Sequence, residues 1–288
     1  MRGNTGGVRG SWATAVLVAG SLLTGCAGGG SGAAAKGTDG ASPRRTGSPT
    51  ISASPEATAT TPGGSNSASA SASVPGAPAA PDPALVPKTA KDGRELVDSV
   101  VLAPGDWGRG FVAQNPAAGK QGTWAVLDDS CRWQREKLPR GVLASASRYS
   151  RLPGGAGRSA VKVTAAVTAH ASVLGADDQL STTLEEVLRC PDQQPRTDER
   201  ITGLMSVGTP FGAREQQYAD DSVYELGSSV EQGGAAESYR WMVARLGTVV
   251  AAVSVTGGEG HTPAELDKVG ADALAQMLTR VQQRLKGK

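Results

Sequence analysis

The fold of this chain is decided by one stretch, residues 239–255, which reads YRWMVARLGTVVAAVSV. In its first part Tyr239, Trp241 and Val243 recur at every second position, the spacing that places side chains on one face of a β-strand. Gly247 then interrupts the apolar run where a tight turn is needed, and a second run follows immediately. The apolar density of that second run is typical of a central strand buried on both faces. The stretch therefore predicts an antiparallel hairpin.

A second hairpin is predicted upstream, between residues 142–149 and residues 161–169. In the later run Val and Ala occupy one face, while Lys, Thr and Ala occupy the other. This period of two indicates strands, and the glycine-rich residues 153–157 provide the turn between them. Shorter strands are predicted at residues 201–211 and 223–226.

The first of two predicted covering helices ends at Cys190. Its apolar side chains recur at spacings that form one stripe along a helix. The proline at position 191 disfavours helical geometry in the residue before it, which places the end of the helix. We expect this helix to pack on the sheet through its stripe. The stripe consists of Leu180, Leu184, Val187 and Leu188.

The second covering helix is C-terminal and has the clearest start. Thr262, Pro263 and Glu265 provide an N-cap, a proline at the first helical position and the glutamate of a capping box. Apolar residues at spacings of three and four follow from Leu266 to Leu285. Antiparallel strands covered by at least two helices predict an α+β domain.

The folded domain is expected to span residues 89–288, because residues 26–88 differ sharply in composition. This preceding segment consists almost entirely of Gly, Ala, Ser, Thr and Pro, and it contains no aromatic residue. Such a chain cannot bury enough apolar surface to offset the entropy of ordering, so we expect a disordered linker. The ends of a flexible linker of this length lie roughly 45 Å apart.

Residues 1–25 have the layout of a secretory signal peptide. Arg2 and Arg9 precede an apolar stretch, residues 12–23, that is too short to span a bilayer stably. The sequence LTGC that ends at Cys26 resembles the lipobox of bacterial lipoproteins. The resemblance implies cleavage before Cys26 and transfer to its thiol of a diacylglyceryl group, which carries fatty acids such as palmitate. The protein would then be anchored in the cell membrane on its extracytoplasmic face; an ordinary signal peptide with an incidental cysteine is the alternative.

The folded part contains two cysteines, Cys131 and Cys190. An even pair in an exported protein predicts a disulfide bond. Closing a loop of about 60 residues contributes roughly 4 kcal/mol in the chain-entropy model. Two buried free thiols or half of a metal site are the alternatives. The chain has only two histidines and no C-x-x-C motif, so a zinc site has little support.

Sequence motifs of catalysis and of cofactor binding are missing from the folded part. It contains no G-x-S-x-G elbow, no P-loop and no dinucleotide fingerprint. We expect His170 to be hydrogen-bonded or exposed, and His261 to lie in a surface loop. The acidic pairs at 128–129, 177–178 and 220–221 are expected to cap helices and turns, because a cation site would require folding to bring them together. We therefore expect a non-enzymatic protein without a metal ion or a cofactor.

The net charge and the tryptophans of the domain indicate which partners it could bind. The net charge is only +2, so nucleic acid is not expected as a partner. The basic residues within 132–140 are interpreted as a solvated surface. Trp107, Trp124 and Trp241 are candidate ligand-binding residues, because tryptophan can line a cleft. Ordinary core packing is the alternative, particularly for Trp133 beside the predicted disulfide.

Four features of the folded part can be compared with known domains. They are the sequence LAPGDW at residues 102–107, Trp133 after Cys131, a helix that ends at Cys190, and the hairpin at 239–255. In these features the folded part resembles the extracytoplasmic sensor domains of actinobacterial proteins, the PknH-like sensor family. The resemblance implies an antiparallel sheet with helices and a cleft. It also implies a sensory or ligand-binding role.

One function is expected, with two alternatives. We expect a membrane-anchored extracytoplasmic lipoprotein with a non-catalytic sensor or ligand-binding domain, whose partner is an unknown envelope ligand or protein. A lipid or glycolipid carrier is the first alternative and would require a large apolar cavity. A cell-envelope enzyme is the second and would require converging polar groups.

Overall fold

The structure of the protein, a computed structural model, describes residues 81–286. The predicted signal peptide, Cys26 and the linker up to residue 80 lie outside the described residues, so those predictions stay predictions. The described part begins before the expected boundary at residue 89. There the backbone amide of Asp82 donates to the carbonyl of Leu285 at 2.8 Å, and Pro87 is buried. The last residues of the predicted linker therefore pack against the domain.

The described residues form ten strands, four α-helices and two short 3₁₀ helices. Eight of the strands form one antiparallel sheet, which confirms the predicted α+β fold, and the other two pair only with each other. None of the described helices is long and apolar enough to cross a membrane. In chain order the elements are α1 (Ala90–Val100), β1 (Val112–Ala118), β2 (Thr123–Leu127), β3 (Trp133–Lys137), β4 (Val142–Leu152), β5 (Val161–His170), α2 (Val173–Arg189), β6 (Gln193–Arg196), β7 (Glu199–Gly208), α3 (Glu215–Tyr218), β8 (Asp221–Glu231), β9 (Ala236–Leu246), β10 (Val249–Gly257) and α4 (Pro263–Lys286).

The two hairpins predicted from the sequence lie at the centre of the large sheet, whose order is β1-β4-β5-β10-β9-β8-β7-β6. β9 and β10 pair without interruption, from Leu246 opposite Val249 to Ser238 opposite Gly257. Gly247 makes their turn with a φ of +58°, a left-handed conformation that favours glycine. β4 pairs with β5 as expected, and all nine residues of β10 are buried.

The inner face of the sheet, which we define as the face covered by α1 and α4, carries the main hydrophobic core. Val and Ala at alternate positions of β5 and β10 pack there against aliphatic residues of the two helices. α4 begins as predicted. The Thr262 hydroxyl accepts from the Glu265 amide at 3.2 Å, and the Glu265 carboxylate accepts from the Thr262 amide at 2.8 Å.

The outer face is covered by α2, for which one prediction is wrong. The helix is present, but Ser172 caps it, and it therefore begins well before the predicted stripe. Leu184 and Leu188 are 40% and 85% exposed, so they do not pack on the sheet. α2 is rotated away from its leucine-rich side and contacts the sheet through other positions. Its buried residues are Ala176, Leu180 and Val187.

Candidate ligand-binding cleft

A cleft of about 400 Å³ lies on the outer face of the sheet. Strands β4, β5, β10 and β9 form its floor, α2 forms one wall, and the β2–β3 hairpin forms the other. Residues of β6 and of the first part of β7 lie at one end. The rotation of α2 matters here, because it turns Gln179, Thr183 and Glu186 toward the cleft.

Hydroxyl groups cover the floor of the cleft. Side chains of a strand point alternately to the two faces of a sheet. The hydroxyl groups therefore lie on the outer face, and the residues between them point into the core of the inner face. The hydroxyl oxygens of Ser145 and Thr168 lie 3.1 Å apart across β4 and β5. Buried hydroxyls need hydrogen-bond partners, so an apolar helix surface could not cover this area without cost. The hydroxyl residues are Ser145, Ser147, Thr164, Thr168, Ser254 and Thr256.

Aromatic side chains border the floor. Trp124 on the hairpin and Trp241 on β9, two of the predicted ligand-binding residues, both line the cleft. Trp133, for which packing beside the disulfide was the favoured interpretation, lines it as well. The indole N–H of Trp133 donates to Gln193 Oε1 at 2.8 Å, which fixes the ring at the end of the cleft near β6. The other aromatic residues of the cleft are Tyr149 and Tyr239.

Trp107, the third predicted ligand-binding residue, does not belong to this group. It packs against the core of the inner face, and its ring centroid lies 6.1 Å from that of Phe111. A second cavity, of about 520 Å³, lies beside Trp107 and the first turns of α4. The structure therefore brings two of the three predicted tryptophans together and leaves Trp107 on the other side of the sheet.

One covalent bond joins the two walls of the cleft. Cys131 lies in the turn of the β2–β3 hairpin, and Cys190 is the C-cap of α2. The two residues form a disulfide with Cα atoms 5.5 Å apart, which confirms the predicted pairing. Beside it, Arg189 of α2 donates to the carbonyls of Asp128 and Leu127 at 3.1 and 3.3 Å. These links fix the hairpin relative to the helix and thus the width of the cleft.

The hairpin also reaches the floor through Arg135. Its guanidinium donates to Ser147 Oγ at 2.5 Å and to Tyr149 OH at 2.6 Å. Arg135 is exposed, as predicted for the basic stretch, yet it also lines the cleft. Among the described residues, no carboxylate forms a salt bridge with Arg135, whereas Lys162 pairs with Glu231 at 2.6 Å. Arg135 therefore offers hydrogen-bond donors and a positive charge to the cleft.

Two carboxyl groups lie together beside the last turns of α2. Glu186 lines the cleft, and burial raises the pKa of its carboxyl to about 7. Glu225 on β8 is only 1% exposed, and burial together with the nearby Glu186 raises its pKa to about 8. Glu225 Oε1 has no hydrogen-bond partner in the described part of the chain. Since an unsatisfied buried polar group costs about 1–3 kcal/mol, Glu225 destabilises the fold.

The other titratable residues considered in the sequence have structural partners. His170 is buried, its Nε2 lies 2.7 Å from Gln179 Oε1, and burial lowers its pKa. Folding does bring Asp177 and Asp220 near each other, but both contact Arg245, at 3.3 and 3.0 Å. Within residues 81–286, no group of three or more His, Cys, Asp or Glu side chains is arranged to hold a metal ion.

Comparisons with known proteins give weak similarities only. No protein-family model and no curated protein matches the chain. Among solved structures, an uncharacterized protein from Mycobacterium smegmatis, the Rv0999 ortholog, is 11% identical over 51% of this chain and 70% of its own, with a TM-score of 0.27. PA94, a protein of unknown function from Pseudomonas aeruginosa, is 11% identical over 51% of this chain and 87% of its own, with a TM-score of 0.26. Neither similarity supports a statement about function, and the PknH-like resemblance stays a prediction.

Proposed function

We propose that this protein is a lipid-anchored extracytoplasmic binding protein whose domain captures a polar, hydroxyl-bearing small molecule without catalysis. The observation that carries the proposal is the cleft, with hydroxyls on its floor and aromatic rings at its borders. Ligand pockets commonly measure roughly 300–1,000 Å³, and the volume of about 400 Å³ falls in this range. The cleft is therefore large enough for one small molecule or one headgroup.

The lining of the cleft favours a polar ligand over an acyl chain. Serine and threonine hydroxyls donate and accept hydrogen bonds, and aromatic rings provide flat apolar surfaces. Together they suit a hydroxylated ring such as a sugar. An acyl chain over the same floor would leave Thr164, Ser254 and Thr256 without partners, which is costly for each group. The lipid-carrier alternative has correspondingly less support.

The carboxyl groups support binding and not hydrolysis. Glycoside hydrolysis by two carboxyl groups requires one on each side of the bond, about 5–9.5 Å apart. Glu225 is 1% exposed and does not line the cleft, so it cannot flank a bound glycosidic bond. Glu199, the other carboxylate that lines the cleft with Glu186, accepts a hydrogen bond from Ser229 and faces Arg196. His170, the other candidate base, is buried and bonded to Gln179. This arrangement supports the non-enzymatic interpretation.

The N-terminal sequence supports the proposed location. Acylation of Cys26 would hold the chain at the membrane, because two acyl chains give stable anchoring. A flexible linker of the predicted composition would tether the domain to this anchor. The resemblance to PknH-like sensors adds a sensory role, in which the bound state of the domain is recognised by an envelope protein.

Native mass spectrometry of the full chain purified from its host membrane tests ligand capture. We expect an added mass on the wild-type domain that Thr164→Trp loses, because the new ring fills the floor of the cleft. Leu188→Trp, on the exposed side of α2, is the matched control and should keep the added mass. A wild-type protein without any bound molecule, or a Thr164→Trp variant that keeps it, would contradict capture in the cleft.

The anchor is tested separately by the intact mass of the mature N-terminus. We expect an acylated Cys26 as the first residue, and a Cys26→Ser variant that no longer partitions with the membrane fraction. An unmodified Cys26 in the membrane-purified protein would contradict the anchoring proposal without affecting the cleft.

A further inference from the structure

Glu186 and Glu225 occupy positions that disfavour negative charge in three ways. Glu186 lies near the C-terminal end of α2, where the helix dipole is unfavourable for an anion. Glu225 is buried, and its Oε1 is unpartnered. The two groups are also close enough for Glu186 to raise the pKa of Glu225. A bound cation would offset all three effects, because an opposite charge favours the ionised form of a carboxyl group.

The register of the sheet places Glu225 beside two residues that line the cleft. Glu225 lies directly opposite Trp241 across β8 and β9, and Tyr239 is its diagonal neighbour. Such positions have Cβ atoms about 4.5–5.5 Å apart when opposite and share the same face of the sheet. Glu186, Tyr239 and Trp241 all line the cleft. One carboxyl group and two aromatic rings therefore line this end of the cleft, and Glu225 lies buried beside the rings.

The neighbouring charged groups do not neutralise the pair. Arg189 on α2 lowers the pKa of Glu186, but its guanidinium is bonded to carbonyls of the hairpin. Arg196 of β6 lies 3.9 Å from Glu199 of β7, so this cation of the cleft already faces a carboxylate. Tyr239 of β9 stays protonated, because burial raises its pKa. Arg135 also lines the cleft and has no carboxylate partner among the described residues, but its guanidinium is bonded to Ser147 and Tyr149 on β4, three strands away from β9. This end of the cleft thus carries more carboxylates than free cations.

We propose that this end of the cleft binds the ammonium group of a basic ligand, held by the Glu186 carboxylate with Glu225 as a buried second carboxyl. The rings of Tyr239 and Trp241 add cation–π contacts. The inference rests on the proposed function and narrows it: the ligand is an amine that also bears hydroxyl groups, such as an amino sugar or an amino alcohol. The hydroxyl floor binds the uncharged part.

Cation binding at this site is linked to the release of protons. The pKa values of Glu186 and Glu225 are about 7 and about 8, and a bound cation favours the ionised form of both. Affinity for a ligand of fixed positive charge therefore rises from about pH 6 to about pH 8. Affinity for a neutral ligand of the same shape does not follow this trend.

Choline and its neutral carbon isostere, in which a tert-butyl group replaces the trimethylammonium group, form a matched pair of probes. Choline keeps its charge at every pH, so any pH dependence belongs to the protein. Isothermal titration of the full chain is carried out with both probes on wild type, Glu186→Gln, Glu225→Gln and Glu185→Gln. Glu185 is exposed on the same helix and controls for net charge. Thermal unfolding of each variant verifies folding.

We expect wild type to bind choline at least about tenfold more tightly than the isostere at about pH 8, and this preference to shrink at about pH 6. Glu186→Gln and Glu225→Gln should lose the preference, and Glu185→Gln should keep it. Equal affinity for the two probes, or a preference that survives both glutamine variants, would overturn the inference. So would the absence of choline binding to wild type up to about 10 mM. These results leave the proposed function standing if an uncharged molecule co-purifies with the cleft.

Discussion

The two faces of the eight-stranded sheet are encoded by the same strands but differ in what covers them. On the inner face, alternate residues of β5 and β10 are Val and Ala, and α1 and α4 cover them. On the outer face, the intervening residues include Lys162, Thr164 and Ser254, and α2 leaves a cleft above them. Burial of apolar surface stabilises the first face, whereas the second keeps hydrogen-bonding groups available. The main hydrophobic core and the proposed binding cleft thus lie on opposite faces of one sheet.

The largest effect is expected on the inner face. Leu274 of α4 is fully buried, so Leu274→Ala would leave a cavity in the core. We expect the free energy of unfolding to fall by about 3–5 kcal/mol. Denaturant unfolding measures it, with Leu188→Ala as the control. Leu188 is 85% exposed and should change stability by less than about 0.5 kcal/mol. Similar losses of unfolding free energy in the two variants would contradict the view that the inner face provides most of the stability.

The next effect concerns the bond between the two walls of the cleft. Replacing Cys131 and Cys190 together by serine should lower the free energy of unfolding by about 2–4 kcal/mol, because the unfolded chain is no longer cross-linked. Unlike Leu274→Ala, this change should also weaken ligand binding, since the hairpin is released from α2. Unfolding and binding are measured on the oxidised wild type and on the double variant. Unchanged ligand affinity would show that the position of the hairpin does not affect ligand binding.

The pH dependence of stability distinguishes the buried carboxyl from the rest of the outer face. The pKa of Glu225 is raised from 4.5 to about 8, so the folded state binds the proton more tightly than the unfolded state. Stability then falls as pH rises through this range. Relative to Glu225→Gln, we expect wild type to lose about 2 kcal/mol or more between about pH 5 and about pH 9. Contributions of His170 cancel in this difference. Parallel curves for the two proteins would exclude a buried carboxyl that titrates in this way.

The smallest effects come from exchanging neighbouring residues of β5 that point to opposite faces. Val163→Thr buries a hydroxyl in the inner core and should cost about 1–3 kcal/mol. Thr164→Val removes a hydroxyl from the floor of the cleft and should change stability by less than about 0.5 kcal/mol, while weakening binding of the co-purified ligand. Thermal unfolding and titration measure the two quantities. A destabilised Thr164→Val would show that its hydroxyl serves the fold.

The regular elements could be predicted because their patterns have one dominant cause. In β5 and α4, burial against the inner core imposes a period on the apolar residues, and in β10 burial on both faces gives a continuous apolar run. Gly247 and Thr262 mark where elements turn or begin. The β2–β3 hairpin carries no such pattern: most of β3 is exposed and polar, and β2 has a single fully buried residue, Leu127. One wall of the cleft was therefore missing from the prediction, apart from the disulfide that anchors it.

The site itself was only partly predictable. Trp124 and Trp241 were recognised by residue type, but a tryptophan can equally pack in a core, and Trp107 does so. The orientation of α2 could not be derived, because Leu184 and Leu188 suggested a stripe that the structure exposes. Glu225 gave no signal, since a glutamate in a short strand is ordinarily solvated. Only the three-dimensional placement beneath α2 reveals that it is buried.

In a chain in which Cys131 and Cys190 remain thiols, the hairpin is joined to α2 by noncovalent contacts alone, among them those of Arg189 with Leu127, Asp128 and Asp129. In a reducing compartment the hairpin would therefore be held less firmly against α2. Formation of the disulfide would complete the proposed binding cleft only where oxidants are present.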